Sequence, residues 1–213
     1  ILSCTFMGYL QFQYDIFGAD YSLTTIVCAL IGFFCAYYFD NKSALTIGIT
    51  ALAATIGITV TPKTLLNNDI YNDTLLSYYG LVLGLLLIVW TIYSNRINLK
   101  KHFNLVFTTY SLHLLFICCI SGLFFDYWFV FALIFIGVSY YFFKNSIDTH
   151  STFNFVFALV YSYIAFNIVL FKLLEFIDLS DLTSLLILGT PMYLIGSILL
   201  FIWLIKKFNK REL

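Results

Sequence analysis

Long apolar runs, separated by short polar links, dominate this sequence. A hydrocarbon core about 30 Å thick is crossed by roughly 20 helical residues, and seven runs have about that length. They cover Tyr21 to Phe39, Ser43 to Thr61, Leu75 to Tyr93, Leu105 to Phe125, Tyr127 to Phe143, Thr152 to Phe171 and Ser184 to Ile205. Continuous runs favour helices, because the strands of a membrane barrel alternate apolar and polar residues. We therefore predict an all-α fold, a polytopic transmembrane helical bundle with seven complete spans.

The composition indicates that lipid surrounds most of the chain. Hydrophobic residues make up 62% of the 213 residues and charged residues only 10%, whereas about a quarter of the residues in a soluble domain are charged. The net charge is zero, and the basic residues end apolar runs instead of forming a patch. We predict the lipid bilayer as a partner and no binding to nucleic acid.

The N-terminal run ILSCTFMGYL is apolar, but it lacks the basic flank and the cleavage site of a signal peptide. We interpret Ile1 to Leu10 as the end of a partial N-terminal span, so the chain is expected to be a fragment that lacks its N-terminal region. No soluble segment or flexible linker separates the spans. The prediction is a single integral-membrane domain over residues 1–213.

Basic residues concentrate in alternate links of this predicted topology. Nine of the eleven fall on one side: Lys42, Arg96, Lys100, Lys101, Lys144, Lys206, Lys207, Lys210 and Arg211. The positive-inside rule places that side, and with it the C-terminus, in the cytoplasm. The predicted topology anchors are Arg96, Lys100, Lys101, Lys206 and Lys207. A phosphate or lipid-headgroup site is the alternative for the first three, which are fewer than the about four to eight basic residues typical of anionic-lipid recognition.

Small residues four positions apart mark two of the predicted spans. The pairs are Ala44 with Gly48, Ala53 with Gly57, and Gly80 with Gly84. Small faces allow two helix backbones to approach closely. We expect the span from Ser43 to Thr61 to be central and surrounded by protein, and a bulky residue at Gly57 to destabilise the fold. Dimerisation through this span is the alternative.

One ionisable residue, His113, lies inside the predicted spans. Such a group is costly in lipid unless it is paired or works in a pathway. One interpretation is a neutral imidazole satisfied by Thr109 and Tyr110, one helical turn away, and the other is a proton-sensitive role.

Polar residues also occur along the span from Thr152 to Phe171. Asn154, Tyr161 and Asn167 suit interhelical hydrogen bonds, although a polar substrate cavity would use the same groups. Together with His113, they form the candidate intramembrane polar site.

Patterns that carry catalysis are absent from the sequence. It has no G-x-S-x-G, no H-E-x-x-H, no P-loop and no glycine-rich dinucleotide turn. Its five cysteines lie in apolar segments without the spacing of a zinc site or a Cys-x-x-Cys pair. We predict no catalytic residues, no cofactor, no metal and no enzymatic activity.

Three short strings resemble a known family. GITVTP at Gly57 to Pro62, TTYSLHLLF around His113 and FALVYSYIAF at Phe157 to Phe166 are similar to the bacterial multi-spanning proteins grouped as domain of unknown function 2157. The resemblance covers most of the chain. It implies an uncharacterised bacterial inner-membrane protein with additional upstream residues, and it supplies no activity, ligand or catalytic residue.

Three functions fit these observations. The leading hypothesis is a non-enzymatic multi-pass membrane protein with a structural, regulatory or partner-binding role, whose partner is another membrane protein or a second copy of the chain. A carrier or channel for a small or lipid-like molecule is the second, and a lipid-modifying membrane enzyme is the third. A polar cavity that reaches the middle of the bilayer would favour the carrier, and a filled interior would favour the first hypothesis.

Overall fold

Eight α-helices and one short 3₁₀ helix form the described part of the chain in a computed structural model of the protein. The structure describes residues 2–18, 21–66, 74–176 and 183–209. The α-helices are α1 (Leu2–Tyr14), α2 (Tyr21–Phe39), α3 (Lys42–Leu66), α4 (Thr74–Arg96), α5 (Asn104–Gly122), α6 (Trp128–Asp148), α7 (Thr152–Phe176) and α8 (Thr183–Asn209), and the 3₁₀ helix is Lys101–Phe103. The predicted basic residues Lys210 and Arg211 lie outside the described residues.

The all-α fold is confirmed, because the described residues contain no strand. Within the part of the chain that the structure describes, six helical stretches are long and apolar enough to cross a membrane: Tyr21–Phe39, Leu75–Arg96, Lys101–Gly122, Trp128–Asp148, Thr152–Leu173 and Pro191–Phe208. Each overlaps a predicted span. The remaining predicted span lies in α3, for which the described residues give a shorter apolar stretch, Lys42–Gly57. The count of seven complete spans and a partial one therefore stays a prediction.

The chain divides into two compact units, residues 1–118 and residues 119–213. In the first unit, α2 and α3 form the closest helix pair, and α4 packs against α3. In the second unit, α6 packs against α7, and α7 packs more sparsely against α8. The prediction of one membrane domain over the whole chain stays a prediction.

A tight turn at residues 40 and 41 joins α2 to α3. Asp40 has a left-handed backbone with a φ of 55°, a conformation that the short polar side chain of aspartate tolerates better than most others. The side-chain oxygen of Asn41 accepts hydrogen bonds from the backbone N–H groups of Ser43, at 2.8 Å, and Ala44, at 3.2 Å. These bonds satisfy two N–H groups that the first turn of a helix leaves unpaired. The sequence DNKS therefore ends one helix and begins the next within two residues.

Two glycines allow α2 and α3 to touch backbone to backbone. A Cβ atom built on Gly32 would lie 2.7 Å from the Cα atom of Gly48, and one built on Gly48 would lie 3.1 Å from the backbone nitrogen of Phe33. A methyl group at Gly32 would collide with the α3 backbone, and one at Gly48 would fit only if the α2 backbone moved by a few tenths of an ångström. Close packing through Gly48 agrees with the small-residue face predicted in α3. Its counterpart on α2, Gly32, was not predicted.

Gly57 differs from Gly48. A Cβ atom built on Gly57 would meet nothing within 4 Å, so a methyl group there has no neighbouring atom to displace, and the destabilising effect of a bulky residue at Gly57 stays a prediction. The pair in α4 does pack closely, since a Cβ atom on Gly80 would collide with the Cys118 sulfur and one on Gly84 would lie 2.6 Å from Cγ of Leu115. The pair Ala53 and Gly57 and the pair Gly80 and Gly84 have the same spacing but differ in their packing. Spacing alone does not reveal which face of a helix meets protein.

Apolar side chains cover the outside of the helices. In α8, Met192, Ile195 and Leu199 are 76%, 61% and 63% exposed. A soluble monomer rarely exposes a continuous apolar surface of this kind. The surface fits a hydrocarbon environment, in which apolar side chains need no protein cover.

Candidate functional site

The residues of the predicted intramembrane site fall in both units. His113 lies half-buried in α5, in the first unit, whereas Asn154, Tyr161 and Asn167 all lie in α7, in the second. With 3.6 residues per turn, positions seven apart, such as Asn154 and Tyr161, share one face, and Asn167 is rotated by about 120° from Tyr161 and about 140° from Asn154. The α7 helix therefore does not present its three polar residues on one face.

Asn154 lies near the beginning of α7. It is the third residue of the helix and is 1% exposed. Its backbone N–H donates to the Ser151 hydroxyl at 3.4 Å. Asn154 is therefore close to the α6–α7 link, whereas Tyr161 lies about two turns further along α7, half-buried, with its ring 6.4 Å from that of Phe157.

Asn167 belongs to a hydrogen-bonded network between α7 and α8. Its side-chain oxygen accepts a hydrogen bond from the Tyr193 hydroxyl at 3.0 Å, and its Nδ2 atom donates to the backbone carbonyl of Tyr163 at 2.7 Å. The Tyr163 hydroxyl lies 3.1 Å from Oγ of Ser197. Four side chains thus link the two helices: Tyr163, Asn167, Tyr193 and Ser197. We call them the α7–α8 polar network.

Aromatic rings surround this network. The rings of Tyr163 and Tyr193 are stacked, with centroids 6.3 Å apart and planes inclined by 14°. Phe201 meets the Tyr163 ring edge to face at 5.3 Å. A cavity of about 350 Å³ opens beside them, lined by Tyr163, Phe166, Tyr193, Gly196, Ser197, Leu200 and Phe201. The polar atoms of the network are engaged with one another, so the cavity is mainly aromatic and aliphatic.

Sequence reasoning found one member of the network, Asn167, and missed the other three. A usable signal was present, because Tyr163 and Asn167 are four residues apart in α7 and Tyr193 and Ser197 are four apart in α8. Residues at that spacing share a helix face. Two such faces on consecutive antiparallel helices predict the pairing that is observed.

A second cavity lies between α6 and α7. It measures about 320 Å³ and is lined by Leu123, Ala132, Phe135, Ile136, Ser139, Ser162, Ala165, Phe166 and Val169. The hydroxyl oxygens of Ser139 and Ser162 are buried and have no hydrogen-bond partner among the described residues. Because the remaining lining is apolar, the cavity suits a hydrocarbon chain better than a polar solute.

The predicted topology anchors differ in their contacts. Nζ of Lys100 forms an ion pair with Oδ1 of Asp40 at 2.6 Å and also donates to the backbone carbonyl of Tyr37 at 2.8 Å. Nε2 of His102 lies 3.1 Å from the same Asp40 oxygen. We call Asp40, Lys100 and His102 the ion clasp. The hydrogen bond from Lys100 holds the pKa of the Asp40 carboxyl below its ordinary value, and the nearby His102 acts in the same direction.

Aromatic residues lie next to the ion clasp and contact one another. The Tyr37 hydroxyl accepts a hydrogen bond from Nε1 of Trp90 at 3.0 Å, and the Tyr37 ring meets the buried Phe103 ring edge to face at 5.5 Å. The clasp joins the α2–α3 and α4–α5 links, so these two basic links lie at the same end of the first unit.

The other four anchors carry exposed side chains. Arg96 and Lys101 lie beside the α4–α5 link, and Lys206 and Lys207 lie in the last turn of α8. Nζ of Lys207 lies 4.7 Å from the centre of the Trp203 ring, which is an arrangement that attracts a cation.

The described part of the chain contains no group of three or more His, Cys, Asp or Glu side chains placed to hold a metal ion. The cysteines Cys4, Cys28, Cys35, Cys118 and Cys119 are all free thiols.

No protein-family model, curated protein or solved structure matches this chain.

Proposed function

We propose that this chain is a multi-pass protein of the bacterial inner membrane whose role is structural, regulatory or partner-binding and not enzymatic. The partner would be another membrane protein or a second copy of the chain. Seven complete spans and a partial crossing by α1 would place the C-terminus in the cytoplasm, in accordance with the positive-inside bias. The resemblance to domain of unknown function 2157 agrees with this assignment.

One observation carries the proposal: several polar side chains on facing helices bond to one another, while most of the groups that line the described cavities are apolar. The α7–α8 polar network is the main example. In the first unit, the Thr55 hydroxyl donates to that of Thr25 at 3.0 Å, and the hydroxyls of Thr50 and Tyr110 lie 3.1 Å apart. Polar groups used in this way hold helices together.

A carrier or channel for a small or lipid-like molecule is the second candidate. The α6–α7 cavity favours it, because the cavity is apolar and the buried hydroxyls of Ser139 and Ser162 have no partner among the described residues. A carrier of a polar solute would need water at this depth. A lipid-modifying enzyme is the third candidate and has less support, since catalysis requires convergent titratable groups.

Water access to the α6–α7 cavity separates the first proposal from a polar carrier. Ser139→Cys and Ser162→Cys are conservative changes that can be made after the five native cysteines are replaced by alanine. A charged, membrane-impermeant thiol reagent reacts with a thiolate, which forms only where water reaches it. We expect both cysteines to stay unlabelled in intact membranes.

Thr149→Cys, at an exposed position in the α6–α7 link, is the matched positive control and should be labelled when membranes are opened to expose both faces. Labelling of Ser139→Cys or Ser162→Cys at a rate close to that of Thr149→Cys would reveal a water-filled path. The structural proposal would then give way to a carrier or channel for a small polar molecule.

A further inference from the structure

The C-terminal end of α8 combines an apolar cavity with an exposed cation. The cavity measures about 210 Å³ and is lined by Ile147 of α6, Phe155 of α7, and Leu204, Lys207 and Phe208 of α8. Its walls are firm, because Phe155 and Phe208 are 8% and 7% exposed and their rings stack with centroids 4.2 Å apart. Among the described residues of the lining, Lys207 is the one that carries a charge.

The side chain of Lys207 is exposed. Within the described residues, no carboxylate lies at ion-pair distance from it, although the exposed Asp148 follows Ile147 directly in the chain. Nζ of Lys207 lies over the Trp203 ring, 4.7 Å from its centre. The contact keeps the ammonium group close to the indole ring. Because tryptophan side chains prefer the interface between hydrocarbon and headgroups, we expect the ammonium group to lie at that depth.

The sequence strengthens the positive charge at this end. Lys206, Lys207, Lys210 and Arg211 fall within six residues, against one acidic residue, Glu212. Clusters of about four to eight basic residues next to a membrane span attract anionic lipids. The cavity adds what a simple basic tail lacks, namely a place beside the cation for hydrocarbon.

We propose that this cavity is a binding site for an anionic phospholipid, with the lipid phosphate against Lys207 and part of one acyl chain between Phe155, Leu204 and Phe208. Charge complementarity selects the headgroup, and the apolar walls select a lipid over free phosphate. A volume of about 210 Å³ holds a segment of one chain and not a whole lipid. The site rests on the proposed membrane insertion of α8. The experiment below distinguishes failure of the lipid site from failure of that insertion.

Trp203 is a built-in probe of this site. In a chain that carries Trp90→Phe and Trp128→Phe, Trp203 is the remaining tryptophan, and lipids with brominated acyl chains quench it on contact. The full-length protein is reconstituted into vesicles of phosphatidylcholine and phosphatidylglycerol, with bromine on one lipid or on the other at equal mole fraction. We expect phosphatidylglycerol to be preferred about fivefold at Trp203, the factor that corresponds to about 1 kcal/mol for a lysine near an anionic surface.

Three variants identify the groups responsible. Lys207→Gln should lower the preference to about one, whereas Lys206→Gln, which removes the same charge one residue away from a side chain outside the cavity lining, should retain most of it. Ile147→Phe keeps all charges but fills the cavity, and it should also remove the preference. Quenching by brominated phosphatidylcholine reports that each variant is inserted.

Each contrary result has a distinct meaning. Equal quenching by both lipids in the parent chain, or an unchanged preference in Lys207→Gln, would overturn the site. The site would also be overturned if Lys206→Gln and Lys207→Gln reduced the preference equally, or if Ile147→Phe left the preference intact. Either result would mean that the preference reflects only the general attraction of a basic tail for anionic lipids. If neither brominated lipid quenches Trp203, the membrane insertion of α8 would instead be contradicted.

Discussion

Nζ of Lys100 lies 2.6 Å from Oδ1 of Asp40, a pair separated by 60 residues of sequence. The contact ties the α4–α5 link to the α2–α3 link. A lysine predicted to orient the chain in a membrane, with a phosphate or lipid-headgroup site as the alternative, is therefore also part of the tertiary structure. The same relationship gives the first prediction.

The Asp40 carboxyl should titrate below its ordinary pKa of 3.8, because the hydrogen bond from Lys100 stabilises the ionised form. Since the folded pKa is the lower one, the stabilisation is complete above the ordinary value and is lost as the pH falls through the folded value. A carbon NMR titration of labelled aspartate, with Asp40→Asn to assign the resonance, measures the midpoint. Lys100→Gln should raise it, and Lys101→Gln is the matched control that should not. A midpoint at or above 3.8 in the unmodified protein would count against the ion clasp.

Gly32→Ala should destabilise the first unit by about 1–3 kcal/mol, the usual cost of overpacking a filled contact. The added methyl group would meet the backbone of Gly48, which cannot rotate away. Gly57→Ala adds the same methyl group to the neighbouring helix where nothing lies within 4 Å, and helix propensity makes that change neutral or slightly stabilising. Reversible unfolding in mixed detergent micelles measures both variants. Equal effects from the two would show that the α2–α3 backbone contact is absent in solution.

Tyr193→Phe should weaken the packing of α7 against α8 by about 0.6 kcal/mol, a typical value for a hydrogen bond between membrane helices. The hydroxyl removed is the one that donates to Asn167 at 3.0 Å. Tyr140→Phe makes the same chemical change at a side chain that is 71% exposed and should have little effect. A double-mutant cycle with Asn167→Ala isolates the pairwise energy. A coupling energy of zero would exclude the hydrogen bond as a contributor.

Sequence reasoning predicted the helical membrane class well, because that class depends on the length and apolarity of whole segments. No individual contact has to be known to recognise a run such as Tyr21 to Phe39. The predicted ends of helices were also within a few residues of the observed ends where turn-forming residues mark the boundary, as at Asp40 and Asn41.

Contacts between particular side chains were harder to predict. Gly48 and Gly57 have the same spacing to a small residue, yet only Gly48 meets a neighbouring backbone. Asn167 was found because asparagine is conspicuous in an apolar span, whereas Tyr163 and Tyr193 were overlooked because aromatic residues are common throughout this chain. Which of several equivalent faces meets a partner depends on the packing of distant segments, and a single sequence does not encode that directly.

The direction in which the chain crosses the bilayer is the central claim, and two reporter fusions test it most directly. A reporter active only in the cytoplasm and one active only after export are each fused after His150, in the α6–α7 link, and after Asp178, between α7 and α8. We predict cytoplasmic activity alone at His150 and export-dependent activity alone at Asp178. Matching activities at the two positions would contradict a membrane crossing by α7 and, with it, the whole proposed topology.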